Sequence, residues 1–175
     1  HGDQEIFSFK EIIQKFDLKN VNRSEGSLDL QKMEWVNQQH IQKCDAEVLA
    51  SLLPKFLAQE GIKVEESDPK LLAGIETMRA RAKTLVEMAK GMAFYFVPDD
   101  HLDIEEKAKK KFHTEHACEL LQKVASSLEE LETWTAEAIA EKISSFMQGE
   151  GVKLKEIAQP ARVALVGKAA GPGLY

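Results

Sequence analysis

Cysteine is scarce: Cys44 and Cys118 are the two in 175 residues, and they stand 74 positions apart. That spacing and number exclude a disulfide-stapled secreted scaffold and leave both thiols to be read as buried small hydrophobes. Aromatic residues make up only 7% of the chain, against an abundance of Leu, Ala, Glu and Lys. This balance favours helix over sheet. No apolar run approaches the roughly 20 residues that span a bilayer, which excludes a membrane-spanning helix. No secretory leader is present, so the cytoplasm is the expected compartment. There is no basic excess either: 23 Lys and Arg face 29 Asp and Glu, for a net charge of −6. A chain of that charge is not a generic nucleic-acid coat. Glycine loops of the phosphate-cradling or dinucleotide type are absent, and no serine stands in a nucleophile-elbow pattern. The chain starts at His1 without an initiator Met and stops after Gly-Pro-Gly-Leu-Tyr, which reads as a fragment of something longer.

What is present is helical patterning. Ser8 and Glu11 form a capping-box pair ahead of Ile12, Ile13 and Phe16. Asp29 caps a second helix carrying Leu30, Met33, Val36 (or Asn37) and Ile41, and Asp45 a third whose buried side is Val48, Leu49, Leu52, Leu53, Phe56 and Leu57, with Pro54 kinking or restarting it. Asp68-Pro69 opens the next, lined by Leu71, Leu72, Ile75 and Met78 and continued by Leu85, Val86, Met88 and Ala89. Phe94 to Val97 is an apolar plug closed by Pro98-Asp99-Asp100, a subdomain boundary. Ile104 to Glu132 is a charge-rich helical region, and Thr135 caps a helix that Gly149 and Gly151 stop. A short helix through Ile157 is broken at Gln159-Pro160, and Ala161 to Val166 starts the last one. The expected fold class is all-α, in two successive helical bundles joined near Pro98.

The residues offer no convincing catalytic constellation. His113-Thr114-Glu115-His116-Ala117-Cys118 places two histidines one turn apart, but a structural zinc needs four good ligands, and the stretch reads as a solvated helix. Glu105-Glu106 and Glu129-Glu130 are adjacent positions that do not face one another. Neither a catalytic residue nor a metal site is assigned.

Two cationic clusters interrupt the acidic chain. Arg79, Arg81, Lys83 and Lys90 accompany one acid, Glu87, and Lys153, Lys155, Arg162 and Lys168 accompany Glu156 alone. An otherwise acidic surface repels a polyanion everywhere except at such clusters, which favours one docking pose. From charge alone, two solvated helix faces are the better account of them. Arg79-Ala80-Arg81 with Lys83 ends an apolar helix, where guanidinium groups suit bidentate contact with a base edge or phosphate. Arg162 precedes Gly171-Pro172-Gly173-Leu174, a turn whose glycines admit a flat ligand and whose Pro and Leu offer it an apolar surface. The pattern by itself also fits a tight interhelical turn with a surface Arg.

These stretches resemble the C-terminal part of the bacterial-type glutamyl-tRNA synthetase family. The likeness runs through Gly2 to Ser8, through Lys32-Met33-Glu34-Trp35-Val36-Asn37-Gln38-Gln39-His40-Ile41, and through Leu53 to Leu57. It continues in Arg79-Ala80-Arg81 with Thr84-Leu85, and from Lys153-Leu154 through Gln159-Pro160-Ala161-Arg162 to Gly171-Pro172-Gly173-Leu174. The resemblance implies the end of a stem-contact domain (1–43) followed by two helical anticodon-binding cages (44–98 and 99–175). It breaks off at Tyr175, where the family adds a terminal helix, so the second cage is expected to be cut short or disordered at its end. Arg81 stands where discriminating enzymes of the family read the third anticodon base, the base separating tRNA for glutamate from tRNA for glutamine. Arg162 and the turn from Gly171 to Leu174 stand where the family contacts the other anticodon bases. Some members carry Thr at the position of Gly171, so a hydroxyl contact there is lost.

The resemblance further implies a parent that attaches glutamate to tRNA(Glu) with ATP and Mg2+, on a Rossmann-fold catalytic half absent from these residues. No cofactor is expected in the fragment itself, nor activity without that half. The partners implied are the anticodon loop and stem, with no DNA and no membrane, and the parent is expected to be monomeric. Two alternatives stand beside this reading: a helical protein-interaction module with an acidic partner, and a paralogue whose parent charges tRNA(Gln) with glutamate.

Overall fold

The computed structural model describes residues 4–21 and 24–171, and among them there are α-helices and short 3-10 turns but no strand. Among the described residues ten α-helices follow one another: α1 Phe9–Lys15, α2 Leu30–Lys43, α3 Ala46–Leu52, α4 Pro54–Leu57, α5 Pro69–Met78, α6 Leu85–Met92, α7 Glu106–Phe112, α8 Glu115–Glu129, α9 Ala136–Glu150 and α10 Leu154–Val166. The all-α class read from the sequence is the class observed.

Most helix starts are fixed by side chains satisfying orphan N–H groups. Ser8 Oγ accepts from Glu11 N while Glu11 Oε2 accepts from Ser8 N, the reciprocal capping box. Asp29 Oδ1 accepts from Gln31 N and Lys32 N, and Asp68 Oδ1 from Lys70 N. Thr84, Thr114 and Thr135 cap α6, α8 and α9 in the same way. Pro54 restarts the chain as the first residue of α4, where a missing N–H costs nothing.

Two hydrophobic centres form. The larger joins Ile41 of α2, Leu49 of α3, Leu57 of α4, Leu71 and Ile75 of α5, and Met88 and Met92 of α6. Each such side chain, taken fully out of water, contributes about 1.5–3 kcal/mol. α5 and α6 approach through reciprocal glycine seats: a Cβ on Gly74 would sit 2.5 Å from Met92 Cε, and one on Gly91 would collide with Met78 Cε. The second centre is built on Val124 of α8, Ile143 of α9 and Ile157 of α10. α1 buries nothing; Phe9 and Ile13 on it and Phe16 at its C-cap are all exposed.

Several expectations need correction. The region from Ile104 to Glu132 is helical, as expected, but in two pieces: α7 ends at Phe112, His113 caps it, and Thr114 starts α8. The capping threonine satisfies the N–H of Ala117, so the break is a true helix start. Conversely, Gln159-Pro160 breaks nothing, since α10 runs through Pro160. Ile157, Pro160 and Val163 form its buried stripe, and that packing outweighs the one backbone bond proline cannot make. Val48 and Leu52 lie outside while Leu49 and Leu53 are buried, because a helix offers the core a stripe narrower than the apolar run. Leu30 and Met33 are exposed, which leaves Ile41 as the buried residue of α2. Cys118 is exposed, one position past the buried Ala117, and Cys44 is half-buried.

Candidate nucleic-acid interface

The chain leaves α5 at Met78 and enters α6 at Leu85, and the turn between them carries Arg79, Arg81 and Lys83. Backbone bonds from Arg81 N and Ala82 N to Met78 O, both 2.9 Å, curl it tightly, and Ala82 is buried beneath it. The polar face of α2 clamps it from the side. Gln38 Nε2 and Gln42 Nε2 both donate to Ala80 O, at 3.1 and 3.3 Å, and Asn37 Nδ2 donates to Lys83 O. Arg79 Nη2 donates to Cys44 O at 3.0 Å and lies 3.3 Å from Glu76 Oε1, so this guanidinium ties α5 to the end of α2. Lys83 Nζ pairs with Glu34 Oε2 at 3.1 Å.

Arg81 faces the other way. Its Nη1 donates to the carbonyl oxygen of Gly171 at 2.7 Å. Gly171 follows the end of α10, which is capped by Gly167 at φ +77°, with Gly167 N donating to Val163 O. A Cβ on Gly167 would collide with the Asp103 carbonyl, and Glu105 N donates to Gly167 O at 2.9 Å, which pins the chain against the segment entering α7. From there the backbone returns along α10, so that a Cβ on Gly171 would lie 3.2 Å from Val166 Cγ1 and 3.6 Å from Arg162 Cδ. The side chains of Arg81 and Arg162 therefore meet at one residue.

A guanidinium carries five N–H donors, so one bond to a carbonyl leaves Arg81 able to donate further. Among the described residues the cluster presents hydrogen-bond donors and cations, groups suited to holding an acceptor or an anion. The carboxylates whose acidity is shifted belong to other elements: Glu11, lowered by bonds from Ser8, and Glu130, lowered by its bond to Lys142. Pro172, Gly173 and Leu174 lie outside the described residues.

Residues 47–175 match the family model described as the anticodon binding domain. The chain belongs to that family. Glutamate–tRNA ligase 2 of Halorhodospira halophila is 39% identical over 173 residues, covering 98% of this chain and 36% of that protein. Glutamate–tRNA ligase 1 of Syntrophus aciditrophicus is 40% identical over 175 residues, with 99% and 36% covered. Among solved structures, a glutamate tRNA ligase of Elizabethkingia meningosepticum in complex with its amino acid superposes with a TM-score of 0.79 at 30% identity, over 98% of this chain and 33% of that one. The chain thus spans little more than a third of the curated relatives it matches.

Within this anticodon-binding domain, the structure brings together Arg81, Gly171 and Arg162, and turns Arg79 and Lys83 toward α2. Asn37, Gln38 and Gln42, which hold the Arg81 turn, were not singled out from the sequence as site residues. Their acceptors are backbone carbonyls, which no side-chain pattern reports. His113, weighed above as a metal ligand, donates from Nε2 to Pro160 O at 3.1 Å, and α8 begins between it and His116.

Proposed function

We propose that this chain recognises the anticodon of tRNA(Glu) as part of a glutamate–tRNA ligase. The carrying observation is the convergence of Arg81 and Arg162 on Gly171. Bases splayed from the anticodon loop are read along their hydrogen-bonding edges by the two arginines, and Pro172, Gly173 and Leu174, which lie outside the described residues, are assigned the remaining base contacts on the family resemblance alone. Arg81 donates to the carbonyl of a cytosine at the third anticodon position. A guanine there presents a donor instead, leaving a charge unpaired at a cost of about 1–3 kcal/mol. Arg at this position also disfavours a parent that misacylates tRNA(Gln). Lys83 supplies positive charge toward phosphate, and Arg79 acts by fixing the turn that carries Arg81.

The division into a stem-contact end (1–43) and two cages (44–98 and 99–175) belongs to the same reading, in keeping with the two hydrophobic centres. Glutamate activation with ATP and Mg2+ is assigned to regions of the parent outside these residues, and the parent to the cytoplasm as a monomer. No helix among the described residues is long and apolar enough to cross a membrane.

Filter binding of the chain to tRNA(Glu) and to an unrelated tRNA tests the proposal. Preference for tRNA(Glu) is expected, with log K falling against log salt at a slope near −3 if roughly four phosphates are neutralised. Equal, weak binding of both would sink it in favour of a protein-interaction module.

A further inference from the structure

A cavity of about 340 Å³ opens where α6 and the 93–97 segment face the chain leaving α10. Its walls include Lys90, Phe94, Val97, His101, Lys168 and Gly171. Gly171 is the residue whose carbonyl Arg81 holds, so cavity and arginine cluster are neighbours along one wall. Its volume falls among pockets of roughly 300–1,000 Å³ that take small ligands.

The lining has two chemistries. Phe94, Val97 and Val166 give an apolar side. Lys90 and Lys168 give cations, both exposed and neither in any ion pair among the described residues, whereas Lys83 and Arg79 have carboxylate partners. Asp103 is the one acid among the described residues of the wall, and its backbone carbonyl is packed against Gly167. An aromatic face beside uncommitted cations is the arrangement that holds an unstacked nucleotide: the ring takes the base, the ammonium groups the phosphate. An acidic peptide would use the lysines but not the ring.

We propose that this cavity receives one further nucleotide of the same anticodon loop, its base against Phe94 and its phosphate between Lys90 and Lys168. The inference rests on the anticodon-binding reading and adds to it a contact that grips the loop without choosing among tRNAs, because stacking and phosphate neutralisation are indifferent to base identity.

The test uses the full chain, tRNA(Glu) and an unrelated tRNA. In the double variant Lys90→Gln/Lys168→Gln, affinity for tRNA(Glu) should fall about tenfold at moderate salt and the log–log salt slope should become shallower by about 0.7–0.9, the loss of one neutralised phosphate, with the ratio between the tRNAs unchanged. Both lysines are exposed, so folding is retained, as circular dichroism would verify. Phe94→Ala should cost about fivefold or more on intact tRNA and nothing further on a transcript made abasic at the nucleotide it holds. If the double variant keeps wild-type affinity and slope while Arg81→Gln still erodes the preference, the cavity assignment is overturned and the anticodon reading stands. If the wild-type chain binds no tRNA, both fall. Should polyglutamate bind in place of RNA and be lost in the same double variant, the cavity belongs to an acidic protein partner instead.

Discussion

Arg81 Nη1 donates to Gly171 O at 2.7 Å across 90 residues of sequence. The bond joins the turn after α5 to the segment after α10, and so makes the two elements proposed to read bases parts of one surface. It also pre-orients the guanidinium, since a planar fork already held through one nitrogen loses less freedom when the others bind a base.

Replacing Arg81 by Gln separates these roles. The side chain is exposed, so stability should change by no more than about 0.5 kcal/mol. Binding of tRNA(Glu) over tRNA(Gln) should lose about 1–3 kcal/mol of discrimination while overall affinity falls less. Filter binding with both tRNAs reads this directly, and an equal loss for both would contradict the role given to Arg81.

The α2 clamp predicts non-additivity. Gln38 and Gln42 share one acceptor, Ala80 O, so either alone still satisfies it. Gln38→Ala and Gln42→Ala should each cost a few tenths of a kcal/mol in urea unfolding, and the double variant about 1 kcal/mol, more than their sum. Strict additivity would mean that the two amides do not share the work.

Why some of this was legible in the sequence and some was not follows from the range of each interaction. Ser8, Asp29, Asp68 and Thr135 announce their helices because a cap bonds to a backbone group two or three residues away. Thr114 obeys the same rule but sits inside an apolar and charged run that already satisfies helical periodicity, so the break is hidden. Pro160 misleads in the other direction, because its local penalty is outweighed by a buried stripe visible only once α7 and α8 are packed against α10. The two arginines could be picked out as cations near turns, and family resemblance gave them roles. Their meeting at Gly171 depends on how two bundles pack, which no local pattern encodes.

Gly167 should be the least replaceable glycine at a helix end. Gly151 also has positive φ, +67°, but nothing lies within 4 Å of its Cβ position, so Gly151→Ala should cost about 1–2 kcal/mol from backbone strain. Gly167→Ala adds a collision with the Asp103 carbonyl and should cost about 2–5 kcal/mol, since backbone on both sides must move. Urea midpoints rank the two variants. A Gly151 variant at least as damaging as the Gly167 one would refute the close approach.

The capping box of α1 gives a pH signature of its own. Glu11 has its carboxyl lowered from 4.5 to about 2, first by the Ser8 backbone N–H, then by the Ser8 hydroxyl and the Gln4 amide. A carboxyl lowered in the folded state contributes stability that is complete above the unfolded value and is lost as pH falls through the folded one. Helicity of Phe9–Lys15 should therefore be constant above pH 4.5, decline between 4.5 and about 2, and be independent of Glu11 below that. Carbon NMR of the Glu11 carboxyl should show a midpoint near 2. Ser8→Ala removes the hydroxyl and should raise that midpoint only in part, because the larger cause, the backbone N–H of residue 8, remains. A wild-type midpoint at 4.5 would show that the box is not formed in solution, and the helix would then lack the one device that starts it, since α1 buries no side chain to hold it in place.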